Sequence, residues 1–131
     1  MKAAERSEFD RFLDQVLAEL PPLAKTVLDE IPLIVEDYPS PEICKAEGLE
    51  YRDELCGYFE GTPKLEQSVD AGYHLPNRIY LFREGNLALA TDDEGQVDTA
   101  ELLRQIRITV LHEVGHYVGM TEDELTELGY D

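Results

Sequence analysis

No apolar run in this 131-residue chain approaches the ~20 residues that a membrane-spanning helix requires. Basic residues are equally scarce, with 11 Lys and Arg against 29 Asp and Glu and a formal net charge of −18. A surplus of that size repels nucleic-acid phosphates and anionic membrane surfaces, so neither is expected as a partner. Cysteine is limited to Cys44 and Cys56, spaced too widely for a zinc knuckle. The N-terminus, Met1-Lys2-Ala3-Ala4-Glu5-Arg6, has no apolar signal-peptide core. The expectation is a cytoplasmic protein with both thiols reduced. Internal repeats, low-complexity tracts and a separating linker are missing too. With 43% hydrophobic residues, the chain is expected to form one globular domain over residues 1–131.

The pattern that is present mixes helices with short strands. Phe9, Phe12, Leu13, Val16 and Leu20 recur at helical spacing, which predicts a helix from Ser7 to Leu20, capped by Ser7 and stopped by Pro21-Pro22. Ile31 to Glu36 reads as a strand, with Pro32 confined to its start or to an edge. Residues 37–51 read as a loop with a possible short helical turn, Leu55 to Gly61 as a second strand, and 64–75 as a loop. Asn77 to Phe82 is the clearest strand, Ile79 and Leu81 alternating against Arg78, Tyr80 and Phe82 and ending before Glu84-Gly85-Asn86. Asp92-Asp93-Glu94-Gly95 reads as a solvated turn, since it lacks the ligand spacing of a calcium loop. A long helix then opens at Asp98, with Glu101 placed for a capping box, and carries the stripe Leu102, Leu103, Ile106, Val110, Val114 and Tyr117 as far as Gly119. A last helix follows Thr121, capped with Glu124, and docks through Leu125 and Leu128.

The chemistry concentrates in His112-Glu113-Val114-Gly115-His116. Histidines four apart lie one above the other on a helix face and can grip one metal ion, here expected to be zinc. Glu113 falls about 100° round from His112. That sets its carboxylate beside the metal, where a general base takes a proton from water. Gly119 can adopt the left-handed conformation that turns the chain back and brings Glu122 round as a third ligand, with Asp123, Glu124 and water as the alternatives. The bland alternative is a pair of histidines that merely packs or caps a helix end. His74, the remaining histidine, reads as a loop residue.

These residues, together with Gly57-Tyr58-Phe59-Glu60-Gly61-Thr62-Pro63 and Leu75-Pro76-Asn77-Arg78-Ile79-Tyr80-Leu81-Phe82, give the chain a resemblance. It resembles the small bacterial zincin-like metallopeptidases. The likeness implies an α+β minimal zincin, a small mixed sheet packed on a long active-site helix without the usual second lobe. The chain departs from that family by Tyr117 where another histidine often stands and by Glu122 where aspartate is common.

The leading expectation is a zinc-dependent peptidase acting on peptide or protein substrates. His112, His116 and Glu122 hold the metal, Glu113 is the base, and the strand around Ile79 offers its edge to an extended peptide. Tyr117, His74 and Tyr130 are the candidate oxyanion donors. The alternatives are a non-catalytic zinc-binding or protein-interaction module, and hydrolysis of a non-peptide amide. Retention of Glu113 favours an enzyme, because a structural zinc needs no base.

Overall fold

The computed structural model of the chain describes residues 1–61 and 77–127. Helix α1 (Ala3–Ala18) starts ahead of the expected Ser7. Ala3, Ala4, Glu5 and Arg6 are strong helix formers, and the Glu5 carboxylate accepts the Lys2 N–H at 3.3 Å. Pro21-Pro22 ends α1 as expected, but it also opens α2 (Pro22–Glu30), which the sequence pattern did not reveal. A proline in the first turn gives up an N–H that would have no partner anyway, and its φ is already helical. Ala24 and Val27 are the buried side of α2.

Strands β1 (Leu33–Glu36), β2 (Gly57–Glu60) and β3 (Arg78–Phe82) form a mixed sheet in the order β1-β3-β2. β1 runs parallel to β3 with Leu33 opposite Ile79, and β2 runs antiparallel to it with Tyr58 opposite Tyr80. The strand around Ile79 was expected to offer a free edge, and that expectation is corrected here. β3 is the central strand, its two edges paired with β1 and β2, so it cannot also pair with an incoming peptide. Its alternation holds for Ile79 and Leu81, which face the core, but Phe82 is buried as well. It stacks on Tyr80 across the other face of the sheet, ring centroids 5.9 Å apart.

The helical turn expected in residues 37–51 is helix α3 (Pro41–Glu47), with the Ser40 hydroxyl accepting from Ile43 N–H at 3.2 Å and Gly48 closing it at φ 65°. Directly after β3 comes α4 (Arg83–Ala90), where the sequence suggested only a stop. Gly85 and Asn86 look like turn residues, yet both are buried and both are contact points. Gly85 lies against the Leu55 carbonyl, where no β-carbon fits. The Asn86 amide donates to the Phe82 and Cys56 carbonyls (2.8 and 3.1 Å), and its oxygen accepts from the Thr109 hydroxyl at 3.0 Å. Tertiary hydrogen bonds thus outweigh the poor helix propensity of the pair.

Helix α5 (Thr99–Val118) crosses the middle of the molecule, packed on the sheet on one side and on α1 and α2 on the other. Leu102, Ile106, Val110, Leu111, Val114 and Tyr117 join Phe9, Leu13, Val27, Ile79 and Leu81 in one apolar core. The Asp98 cap is in place, its carboxylate accepting from Glu101 N–H at 3.1 Å. The reciprocal half of the expected box is replaced, because the Glu101 carboxylate accepts instead from Gln105 at 2.7 Å and Arg104 at 3.0 Å. The Asp92 turn is closed by its own side chain, which accepts from Glu94 and Gln96 N–H. Helix α6 (Glu122–Glu127) follows a Thr121–Glu124 cap, with Leu125 fully buried; Leu128 lies outside the described residues, as do positions 64–75. Arg83 ties α4 to Asp10 of α1 and to Asp37 after β1, which Arg6 also holds. No helix among the described residues is long and apolar enough to cross a membrane.

Asn86→Ala removes the partner of two carbonyls and one hydroxyl in a buried place. Urea unfolding followed by circular dichroism should show a loss of about 2–3 kcal/mol. A change below about 0.5 kcal/mol would mean that the network does not hold α4 to β2 and α5.

Candidate metal centre

Three donors converge on the last turns of α5. The ring centroids of His112 and His116 stand 4.4 Å apart at 67°. One ligand atom from each of His112, Glu113 and His116 lies within 4.8 Å of the other two. Both imidazoles are half-buried, while Glu113 is only 6% exposed. The burial of this carboxylate is caused by β2. A β-carbon on Gly57 would stand 2.6 Å from Thr109 Cγ2 and 3.2 Å from Glu113 Cγ, so the strand reaches α5 only because position 57 is glycine.

His116 is held between two carboxylates. Its Nδ1 is 3.2 Å from Glu113 Oε1 and its Nε2 is 3.2 Å from Glu122 Oε1. The hydrogen bond to Glu113 raises the imidazole most, burial opposes it, and Glu122 adds to the rise, so that the ring is pushed up to about 9. A pKa raised on folding stabilises the metal-free fold fully below the ordinary imidazole value of 6.5. That contribution is lost as the pH climbs through about 9. At neutral pH the metal-free ring is therefore protonated, and a metal ion must displace that proton to bind.

Glu122 reaches the site through two glycines. Gly119 ends α5 at φ 86°, and the Met120 N–H bonds back to the Gly115 carbonyl at 2.9 Å. Helix α6 then packs Leu125 onto Gly115, in space that a β-carbon there would occupy. The role of Gly119 was legible in the sequence. That of Gly115 was not, although a glycine inside a long helix is the signal for a close neighbour.

The structure thus brings His112, Glu113 and His116 together as the tightest set, with Glu122 against the far nitrogen of His116 and its side chain 72% exposed. Glu124 accepts from Thr121 N–H and Thr121 hydroxyl, as expected of a cap. Tyr117 is buried, packs its ring at a tilt against Phe59, and directs its hydroxyl to Glu30 of α2 at 3.5 Å. His74 and Tyr130 lie outside the described residues. Cys56 is a neighbour that sequence reasoning missed. Burial pushes its thiol up to about 11, the Thr109 hydrogen bond opposes this, and the charge of Glu113 adds to it. Cys44 and Cys56 are both free, and at neutral pH Cys56 is a neutral thiol beside Glu113.

Two imidazoles with a carboxylate are the donor set of hydrolytic zinc sites. The 3.2 Å between His116 Nε2 and Glu122 Oε1 is also close to the ~3.4 Å between two ligands bound at ~2.1 Å to one tetrahedral ion. The residues present fit a divalent metal. In metal-free protein, the NMR titration of His116 should have its midpoint near 9, and affinity for a divalent metal should rise by up to ~10-fold per pH unit from neutrality towards that value. A ring titrating at 6.5 would show that the two carboxylates do not hold it in solution.

Among curated proteins, none matches the chain. A family model described as zincin-like metallopeptidase matches residues 28–130. That span takes in the sheet, α4, the whole of α5 with its two histidines, and α6, and it leaves out α1 and most of α2. The match covers well over half of the sequence, and the small mixed sheet packed with helices is consistent with a zincin-like α+β domain. The chain belongs to the zincin-like metallopeptidases.

Proposed function

We propose that the chain is a zinc-dependent peptidase in which His112, His116 and Glu122 hold the metal and Glu113 is the general base. One observation carries this reading. Glu113 is buried against β2, yet its carboxylate stays within 4.8 Å of the donor atoms of both imidazoles. Burying an ionisable group is costly, and a purely structural metal site has no use for a carboxylate there. Membership of the family makes a peptide or protein the expected substrate class.

Zinc, when bound, would supply a Lewis acid that acidifies a water and polarises the scissile carbonyl. The rest falls to the chain's own side chains. Nδ1 of His116 is occupied by Glu113, which leaves Nε2 facing Glu122 as the nitrogen for the metal. Glu122 is a better third ligand than Glu124, whose carboxylate is engaged in capping. Glu113 accepts the proton that water loses on attack and passes it to the leaving amine nitrogen. The peptide is expected along β2 and not β3. Among the described strands β2 lies at the edge beside Glu113, and its backbone can offer hydrogen bonds that do not depend on substrate sequence.

A second reading, a non-catalytic zinc-binding or interaction module, draws support from the 72% exposure of the Glu122 side chain, since an open ligand excludes water poorly.

Two experiments test the proposal. Glu113→Gln keeps size and hydrogen bonding but cannot take a proton. Zinc content by mass spectrometry should stay near one per chain, while hydrolysis of a mixed peptide library falls by ~10²-fold or more. Loss of zinc in this variant would make Glu113 a ligand, and wild-type protein that is loaded yet inert would favour the binding module. Glu122→Ala should weaken zinc retention against a competing chelator more than Glu124→Ala does. Equal losses would move the third ligand elsewhere.

A further inference from the structure

The outer face of the sheet, turned away from α5, has a chemistry that the peptidase reading does not use. Phe59 faces Tyr117 and Gly57 faces Thr109, so strand alternation sends Tyr58 and Glu60 to the opposite side. Their cross-strand partners Tyr80 and Arg78, with Phe82, Ile34 and Glu36, complete that side. An outer face in a domain of this kind is ordinarily polar or covered. Here it is a row of rings: Tyr58 and Tyr80 have centroids 6.4 Å apart at 48°, and Tyr80 and Phe82 5.9 Å apart at 14°.

Among the described residues, helix α3 covers this row, and only in part, through Ile43. Two adjoining hollows of about 310 and 340 Å³ remain, sharing Tyr80, Ile43 and Ser40. The first runs to Tyr38 and Phe82 below Glu36, and the second to Tyr58 between Glu42 and Glu60. None of these three carboxylates forms an ion pair among the described residues. We propose that this groove docks a lysine- or arginine-bearing peptide segment.

Charge complementarity selects that occupant. Ring faces carry a negative quadrupole and attract cations, and carboxylates at the rim add to the attraction. The chain already shows the match once, with the Arg52 guanidinium 4.1 Å from the centroid of Tyr38, a ring of the groove. The Tyr58 hydroxyl is a neutral donor at this face, its pKa raised further by burial and by the charges of Glu47 and Glu60. Arg78, opposite Glu60, makes one end of this face less negative and Arg52, over Tyr38, does the same at the other, which leaves the space around Tyr80 and Glu42 between them for an incoming cation. Two hollows side by side suit two side chains on one face of an extended peptide, ~7 Å apart. A net charge of −18 would bring such a segment in from a distance. The proposal rests on this face alone and not on the catalytic reading.

Fluorescence anisotropy tests it, with the full chain carrying Glu113→Gln and a labelled Lys/Arg-rich peptide at ~0.15 M salt. The basic peptide should bind, and a neutral peptide of the same length with citrulline and norleucine should not. The triple variant Glu36→Gln, Glu42→Gln, Glu60→Gln should weaken binding by ~10-fold or more. The triple variant Asp14→Asn, Asp93→Asn, Glu94→Gln removes the same charge from exposed residues outside the groove and should change it by less than ~3-fold. Tyr58→Leu, checked for folding by circular dichroism, should also weaken binding. Adding His112→Ala and His116→Ala should leave it intact whatever becomes of the peptidase reading. Equal weakening by the two triple variants would trace binding to net charge and overturn the proposal. So would loss of binding in the histidine variant, no binding at all, or a free polyamine that binds as tightly as the peptide.

Discussion

The metal-site end of α5 depends on close packing at two positions that carry no side chain. Gly57 lets β2 lie against Thr109 and Glu113, and Gly115 lets Leu125 of α6 lie against the helix between the two histidines. The first contact desolvates Glu113, and the second returns the chain so that Glu122 meets His116. A methyl group at either place would meet atoms already in contact, and cores packed at crystal-like density yield little. The donor geometry is therefore a consequence of packing on both sides of α5.

Behind those contacts lies a polar knot. Asn86 bonds to the ends of β2 and β3 through their carbonyls and to α5 through Thr109, while Gly85 closes α4 onto Leu55. Cys56, whose carbonyl it holds, immediately precedes Gly57, so the same network sets how near β2 approaches Glu113. The Arg83 fork adds a tie from α4 to α1 and the end of β1. Helix α4 thus supports the site without contributing to it directly.

Electrostatics at the site and over the whole molecule run in the same direction. An acidic chain gathers two carboxylates around His116, which in metal-free form responds by holding a proton. A divalent cation replacing that proton would neutralise the pair more fully, so the site binds its proton and its metal in competition. On the opposite face of the sheet, carboxylates that form no ion pair among the described residues line a row of rings.

Local sequence determined the elements whose signals are local. The span and cap of α5, the left-handed stop at Gly119, the Thr121–Glu124 cap, the Asp92 turn and the placing of His112, Glu113 and His116 on one helix end all follow from spacing and side-chain chemistry within a few residues. Tertiary structure decided what depends on neighbours distant in sequence. Pro21-Pro22 reads as a stop, yet α2 begins there because its apolar side finds α5. Gly85-Asn86 reads as a turn, yet it is helical because buried carbonyls and a hydroxyl claim the Asn86 amide. The strand at Ile79 alternates like a half-exposed edge, yet strand order makes it central, and that order arises from pairing across 45 residues or more with β1. Patterns within a segment report which side of it is apolar. They do not report which partner covers that side, because the covering energy comes from residues that meet only in the folded chain.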